Sequence, residues 1–236
     1  MSTVQGPDPD KIRSMFGGIA SGYDRANSVL SAGIHHLWRK ALVQWSDAKA
    51  GDRVLDCATG TGDLAIAFKK RVGAGEVTGT DFCAEMLERA PAKAQAEGLA
   101  IRFEIADVTK LPYADDTFDV ASISFGIRNV QDPGKGLAEL CRVVKPGGRV
   151  MVLEFGQPPN SLVRGAYEFY SRRVLPKLGG LVTGNPEAYE YLERSSSKFP
   201  CREEFVELMR KSGSFQAIEY RSLSFGVAYV YRGVKA

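Results

Sequence analysis

Val54-Leu55-Asp56-Cys57-Ala58-Thr59-Gly60-Thr61-Gly62-Asp63-Leu64 is the stretch on which the fold turns. It leaves a buried strand, turns tightly through two glycines and opens a helix. Outward from it, short strands alternate with helices. Strands are expected at Arg53–Ala58, Glu76–Asp81, Ile101–Ile105, Phe118–Phe125 and Arg149–Phe155, and helices at Asp63–Val72, Ala84–Glu97 and about Lys135–Val143. Such alternation requires crossover connections and a parallel sheet with both faces covered. The expected class is therefore α/β, a doubly wound, mostly parallel sheet. Pro91 lies inside the Ala84–Glu97 run and should kink that helix or end it near Arg89.

The flanks are read the same way. Asp8 can cap a helix and Pro9 fits its first position; Ile12, Met15, Phe16 and Ile19 follow at helical spacing. A second helix carries the stripe His35, Trp38, Leu42 and Trp45. Residues 157–200 break the alternation with many turn formers and aromatic residues. A helix near Arg202–Ser212 follows, then two strands, Gln216–Leu223 and Phe225–Arg232, with no helix between them. They are expected to pair antiparallel at a sheet edge and bring the sheet to seven strands. One domain, 1–236, is expected, with an N-terminal helical cap (1–50), a core (51–156), a lid insertion (157–200) and a terminal helix and strand pair (201–236).

Open parallel sheets bind ligands at the carboxyl ends of their strands, which is where the glycine loop sits. Gly60 and Gly62 let backbone approach a ligand without an intervening Cβ. Gly60-x-Gly62-x-x-Ala65, with Asp81 19 residues after Gly62, also satisfies the dinucleotide fingerprint. Charge separates the two readings. A pyrophosphate wants bare helix N-terminal amides, whereas Asp56 and Asp63 flank this loop with carboxylates. Those suit a ligand carrying a sulfonium and an ammonium, as S-adenosylmethionine does. Asp81 ends the second strand, where its two oxygens can accept from both ribose hydroxyls. Asp107, with the Val108 amide, is placed to meet an adenine edge, and a plain turn residue is the competing account. Ser124 ends the fourth strand at the floor of the crevice, where a serine bonded to its own backbone competes.

Asp56-x-x-x-Gly60-Thr61-Gly62, Asp81, Leu111-Pro112-Tyr113, Phe118-Asp119 and Leu140-x-Arg142-Val143-x-Lys145-Pro146-Gly147-Gly148 together resemble the class I methyltransferases. Met15-Phe16-x-x-Ile19-Ala20-x-x-Tyr23-Asp24, Gly33-Ile34-His35-x-Leu37-Trp38, Ser124-Phe125-Gly126-Ile127-Arg128-Asn129-Val130, Leu153-Glu154-Phe155 and Ala188-Tyr189-x-Tyr191-Leu192-x-x-Ser195 narrow the resemblance. They are similar to the ubiquinone/menaquinone biosynthesis C-methyltransferases. The resemblance runs from about Lys11 to the C-terminus and implies methylation of a ring carbon on a polyprenylated quinol. It also implies Thr61, Asp81, Asp107 with Val108, and Ser124 as cofactor positions. His36 stands where the family commonly has arginine.

Carbon is a poor nucleophile, so the quinol hydroxyl must ionise first, and an unperturbed phenol has a pKa of roughly 10. Arg128, after the fourth strand, is the candidate cation for the developing oxyanion; a surface arginine beside an acid is the competing account. His35 is the candidate base, against a core histidine bonded to backbone. Tyr23 either closes over the methyl donor or packs as core. The lid of 157–200, with the N-terminal helix, is expected to hold the lipophilic quinol's tail.

Bulk properties narrow the rest. The chain has 236 residues, 44% hydrophobic and 25% charged, with 31 basic and 28 acidic residues giving net +3. These charges are interspersed, which does not read as a nucleic-acid footprint. Cys57, Cys83, Cys141 and Cys201 form no CxxC pair and there are two histidines, so no metal site is expected. The N-terminus lacks a signal-peptide core and no stretch is long and apolar enough to span a bilayer. A cytoplasmic protein is expected, with peripheral contact to the inner membrane and a homodimer as further expectations.

Overall fold

A computed structural model describes residues 5–236. Seven strands form one sheet: β1 (Val54–Cys57), β2 (Val77–Asp81), β3 (Arg102–Ile105), β4 (Phe118–Ser124), β5 (Val144–Phe155), β6 (Phe215–Leu223) and β7 (Ala228–Lys235). Their order is β3-β2-β1-β4-β5-β7-β6, parallel through β5, with β7 antiparallel to both its neighbours. The order reverses between β1 and β4, which opens a crevice above their carboxyl ends.

The helices are α1 (Pro9–Ile19), α2 (Tyr23–Leu30), α3 (Ile34–Trp45), α4 (Asp63–Val72), α5 (Ala84–Leu87), α6 (Ala90–Ala96), α7 (Pro133–Val143), α8 (Ser161–Phe169), α9 (Leu175–Thr183), α10 (Pro186–Lys198) and α11 (Glu203–Ser212). Local chemistry sets their starts. Asp8 caps α1 by accepting from the Asp10 amide at 2.9 Å, with Pro9 at the first position. Asp132 caps α7 from the Lys135 amide at 3.0 Å, again followed by proline. Period-two alternation along β5 splits the core. Val150 and Val152 face α7 and α11 with Leu137, Leu140, Phe205 and Met209. Met151 and Leu153 face α3 and α4 with Trp38, Leu42, Leu64 and Phe68.

Two features depart from the sequence expectations. Helix α2 was not foreseen: its eight residues, YDRANSVL, give barely two turns in which a helical period can be read. Phe225 belongs to the turn Ser224–Gly226 and not to the last strand, because it adopts φ +59°. The run holding Pro91 ends near Arg89 as expected, with α5 stopping at Leu87 and α6 restarting at Ala90. The insertion is helical throughout, α8 passing through one π-helical turn, Tyr170–Val174, into α9. All four cysteines are free and buried.

Candidate active site

Two cavities adjoin above the carboxyl ends of the strands. The first, about 840 Å³, is walled by the ends of β1 to β4 and covered by Pro9, Phe16 and Tyr23. Asp81 stands in its wall, 6% exposed, with Oδ2 accepting from the Gly60 amide at 2.8 Å and Oδ1 from the Cys83 amide at 2.9 Å. Each oxygen keeps a second lone pair, so the carboxylate is held in place and still able to accept. Burial pushes its pKa up, against three backbone amides.

Gly60 lines this cavity at φ +56°, where a side chain would be both strained and 3.3 Å from the Met86 methyl. Asp107 and Val108 line it too. Asp107 Oδ1 accepts from the Thr109 amide and hydroxyl at 2.8 and 2.9 Å, so the residue both builds its turn and presents Oδ2. The Ser124 hydroxyl is buried with no partner among the described residues. That result excludes a backbone-bonded serine and leaves an uncompensated polar atom facing a cavity, which costs stability until a ligand meets it.

Three other loop residues stand one layer back. Asp56, 1% exposed, lines neither cavity; it accepts from Thr59 Oγ1 at 2.6 Å and Ser122 Oγ at 2.8 Å, and burial pushes its pKa up to about 6. Gly62 caps α4 in the left-handed region at φ +87°, and a Cβ there would come within 3.0 Å of Ala90. Thr61 donates to Asp24 Oδ1 at 2.6 Å. A glycine loop read from sequence shows which residues turn, not which way each faces. Here Gly60 alone of the loop's expected cofactor positions reaches the cavity wall.

The donor set fits S-adenosylmethionine. Among the described residues no Lys, Arg or His lines the first cavity, while Asp81 and Asp107 do. A pyrophosphate would find no cation there; a sulfonium or ammonium would find two carboxylates. Phe82, Met86, Val108 and Val130 supply flat apolar walls for an adenine.

The second cavity, about 1180 Å³, shares Phe16, Tyr23 and Phe125 with the first and extends under α8, α9 and α10. Tyr23 thus stands between the two. Arg128 lines it and is 6% exposed, so it is no surface arginine. Its Nη1 donates to Glu154 Oε1 and to the Phe125 carbonyl, both at 2.7 Å. Nη2 has no protein partner among the described residues, and the guanidinium lies 5.5 Å from the Phe155 ring centre. Burial lifts Glu154 while Arg128 opposes the lift.

His35 lines the same cavity. Its Nδ1 is 2.6 Å from Ser31 Oγ, whose single proton goes to the Asn27 carbonyl at 2.7 Å. Nδ1 must then carry the proton, and Nε2 keeps its lone pair. Burial first, then Arg39 and His36, lower its pKa to about 4. At neutral pH His35 is a neutral hydrogen-bond acceptor and a weak base. His36 and Asp63 lie near it, within metal-ligating reach. Asp63, however, is bound by Lys93 and by Arg39 at 3.3 Å, two cations that oppose a third.

Sequence reasoning missed Glu154 as the partner of Arg128 and the Asp24–Thr61–Lys93–Asp63 cluster beneath α2, while Tyr167 and Tyr191 of the expected aromatic lid do stand in the second cavity wall. Glu154 was quoted as a motif letter, and a buried acid at the end of an apolar strand, VMVLEF, was the available signal.

A profile of the ubiE/COQ5 methyltransferase family matches residues 4–235. The ubiquinone/menaquinone biosynthesis C-methyltransferase UbiE of Bdellovibrio bacteriovorus is 63% identical over 227 residues, 96% of this chain and 97% of that protein. The demethylmenaquinone methyltransferase of Deinococcus radiodurans is 45% identical over 95% of this chain and 92% of that protein. A SAM-dependent methyltransferase of Thermotoga maritima superposes with a TM-score of 0.68 at 22% identity, covering 94% and 99% of the two chains, a likeness of fold. With a profile match across nearly its whole length and a relative sharing almost two thirds of its residues, the chain belongs to the ubiE/COQ5 methyltransferase family.

Proposed function

We propose that the chain transfers a methyl group from S-adenosylmethionine to a ring carbon of a polyprenylated quinol, a demethylated menaquinol or the corresponding ubiquinone precursor. The observation that carries this reading is the pair of adjoining cavities. One is acidic-walled and free of cations; the other is lined with aromatic and aliphatic side chains around Arg128, and the two share Phe16, Tyr23 and Phe125. The names of the relatives supply the quinol as substrate class.

When bound, S-adenosylmethionine supplies an electrophilic methyl on a sulfonium. Asp81 accepts from the ribose hydroxyls, Asp107 and the Val108 amide meet the adenine edge, and the Ser124 hydroxyl gains the partner it lacks. Asp56 and Thr61 act through the loop, holding Gly60 and Asp81 in register. Arg128 Nη2 meets the ring oxygen as its proton leaves and favours the phenolate, whose charge resonance shares with the ring carbons beside that oxygen. His35 Nε2 accepts from the quinol hydroxyl, directly or through water. Tyr23 and Phe125 close the junction and keep bulk water from it. The ring carbon would take the methyl as its bond to the sulfonium sulfur breaks, leaving neutral S-adenosylhomocysteine, and the proton on that carbon would pass to water as the ring regains aromaticity.

Incubation of the protein with S-adenosylmethionine and a demethylated quinol, followed by mass spectrometry, tests this. The expected product is the quinol heavier by one CH₂, the new methyl on carbon. A methyl found on oxygen, or no transfer under reducing conditions, overturns the reading.

A further inference from the structure

Nine large apolar side chains stand exposed among the described residues. Ile105 sits on the far sheet edge, and the other eight all belong to elements that wall the second cavity. The most exposed are Leu162 (82%), Leu181 (84%) and Phe225 (82%), with Phe169 at 67%. None of these four lines either cavity, though Tyr167, Leu175 and Ser224 beside them do. Ile34 both lines the second cavity and is 39% exposed, so this corner of the wall is shared between cavity and surface.

Residues 161–183 form one continuous helical run through α8, the π turn and α9. Leu162 and Phe169 are two turns apart, and Arg173, Lys177 and Leu181 follow at steps of four, so apolar and cationic groups share one stripe. The run holds Arg164, Arg172, Arg173 and Lys177 against Glu168 alone, a net +3 that equals the charge of the whole chain. Arg172 is paired with Glu193 and Glu168, while Arg164, Arg173 and Lys177 reach no carboxylate among the described residues. Unpaired cations interleaved with outward apolar groups match the headgroup boundary of an anionic bilayer. A two-fold pairing of this face with itself would set those cations against one another.

We infer that the face formed by residues 161–183, the outer corner of α2 and α3, and the Ser224–Gly226 turn docks on an anionic lipid surface with the second cavity opening towards it. A lipid-tailed ring then enters from the bilayer without crossing water. That purpose rests on the quinol reading above; the affinity for lipid does not.

Cosedimentation of the full chain with vesicles tests it. Wild type should bind equimolar phosphatidylcholine and phosphatidylglycerol, bind phosphatidylcholine alone far more weakly, and release as salt rises. The Leu162→Glu, Leu181→Glu double variant should lose at least about tenfold in binding. Its turnover of a tail-less quinol should stay at the wild-type level, which also establishes that it folds. Arg173→Ser with Lys177→Ser, at exposed positions, should remove the preference for anionic lipid. No wild-type binding to either vesicle, or equal binding to both, overturns the inference. So does a self-association, seen by sedimentation equilibrium, that Leu181→Glu abolishes while vesicles capture nothing. If wild type binds vesicles yet methylates no quinol, the quinol reading fails and the lipid surface stands.

Discussion

In the proposed reaction Arg128 carries the heaviest chemical load of any single residue. Its pairing with Glu154 fixes the fork and leaves one edge for substrate. Arg128→Gln keeps a polar side chain but removes the charge and strands a buried Glu154, so the variant must first be checked for folding. Turnover should fall by roughly 10²–10³, the usual loss on removing an oxyanion donor. It should recover partly at high pH, where hydroxide ionises the quinol. Cofactor affinity should hardly move, because Arg128 lines only the second cavity; single-turnover assays across pH with calorimetry check both. Near-normal turnover would make the arginine structural. Asp56 makes a different prediction. Burial pushes its pKa from 3.8 to about 6, so between those values the folded protein holds more protons than the unfolded chain. Its contribution to stability is fully present below about pH 4 and is lost as pH rises through about 6. Asp56→Asn should remove up to about 3 kcal/mol of that pH dependence and raise the melting temperature of the ligand-free protein at pH 7.5. An unchanged slope between pH 4 and 6 would show that Asp56 is not the group responsible. His35, lowered to about 4, acts in the opposite sense: its contribution is complete above 6.5 and lost as pH falls towards 4.

At the scale of elements, the cluster beneath α2 joins the N-terminal cap to the cofactor loop. Asp24, the second residue of α2, accepts from Thr61 Oγ1 at 2.6 Å and from Lys93 at 2.8 Å, and its neighbour Tyr23 stands between the cavities. Asp24 itself lines neither cavity. Asp24→Asn should therefore weaken S-adenosylhomocysteine binding indirectly, by about tenfold, the worth of one charge-assisted bond of about 1.5 kcal/mol. It should also speed amide exchange across residues 9–30. Unchanged affinity and exchange would mean that the cap is held by its apolar contacts alone. The same cluster marks where sequence stopped being informative. Strands and helices of the core were legible because each buries a face whose period, two or 3.6, is written in the apolar residues. Asp81 and Ser124 were legible because strand ends must face the crevice. The facing of Thr61, and the partnership of Asp24 with Lys93 across 69 positions, depend on tertiary placement that no local period encodes. Glu154 and Arg128 were each visible as letters, and the fold alone brings them within 2.7 Å.

At the scale of the whole molecule, the first cavity is closed on one side by the sheet and on the other by α1 and Tyr23. A ligand there touches the ends of four strands and the N-terminal cap at once, so its binding energy is linked to global unfolding and not to one loop. Two groups in the site carry costs that a cation-bearing nucleoside relieves: an unpartnered Ser124 hydroxyl and a buried Asp81 carboxylate whose pKa is raised by desolvation. S-adenosylhomocysteine at 100 times its dissociation constant should stabilise the fold by about 2.7 kcal/mol. For a chain of this length that is a rise in melting temperature of about 5–10 °C. NAD meets the same ribose and adenine acceptors but brings a pyrophosphate to a wall with two carboxylates and no cation, so its shift should be close to zero. At equal concentration S-adenosylmethionine should shift more than S-adenosylhomocysteine if its sulfonium makes it bind the folded state more tightly. Scans of the full chain with each ligand, at pH 7.5 and again at pH 5, check this. The advantage of the sulfonium should shrink at pH 5, where Asp56 takes up a proton. An NAD shift as large as that of S-adenosylhomocysteine would return the glycine loop to the dinucleotide reading and take the methyl-transfer assignment of the first cavity with it.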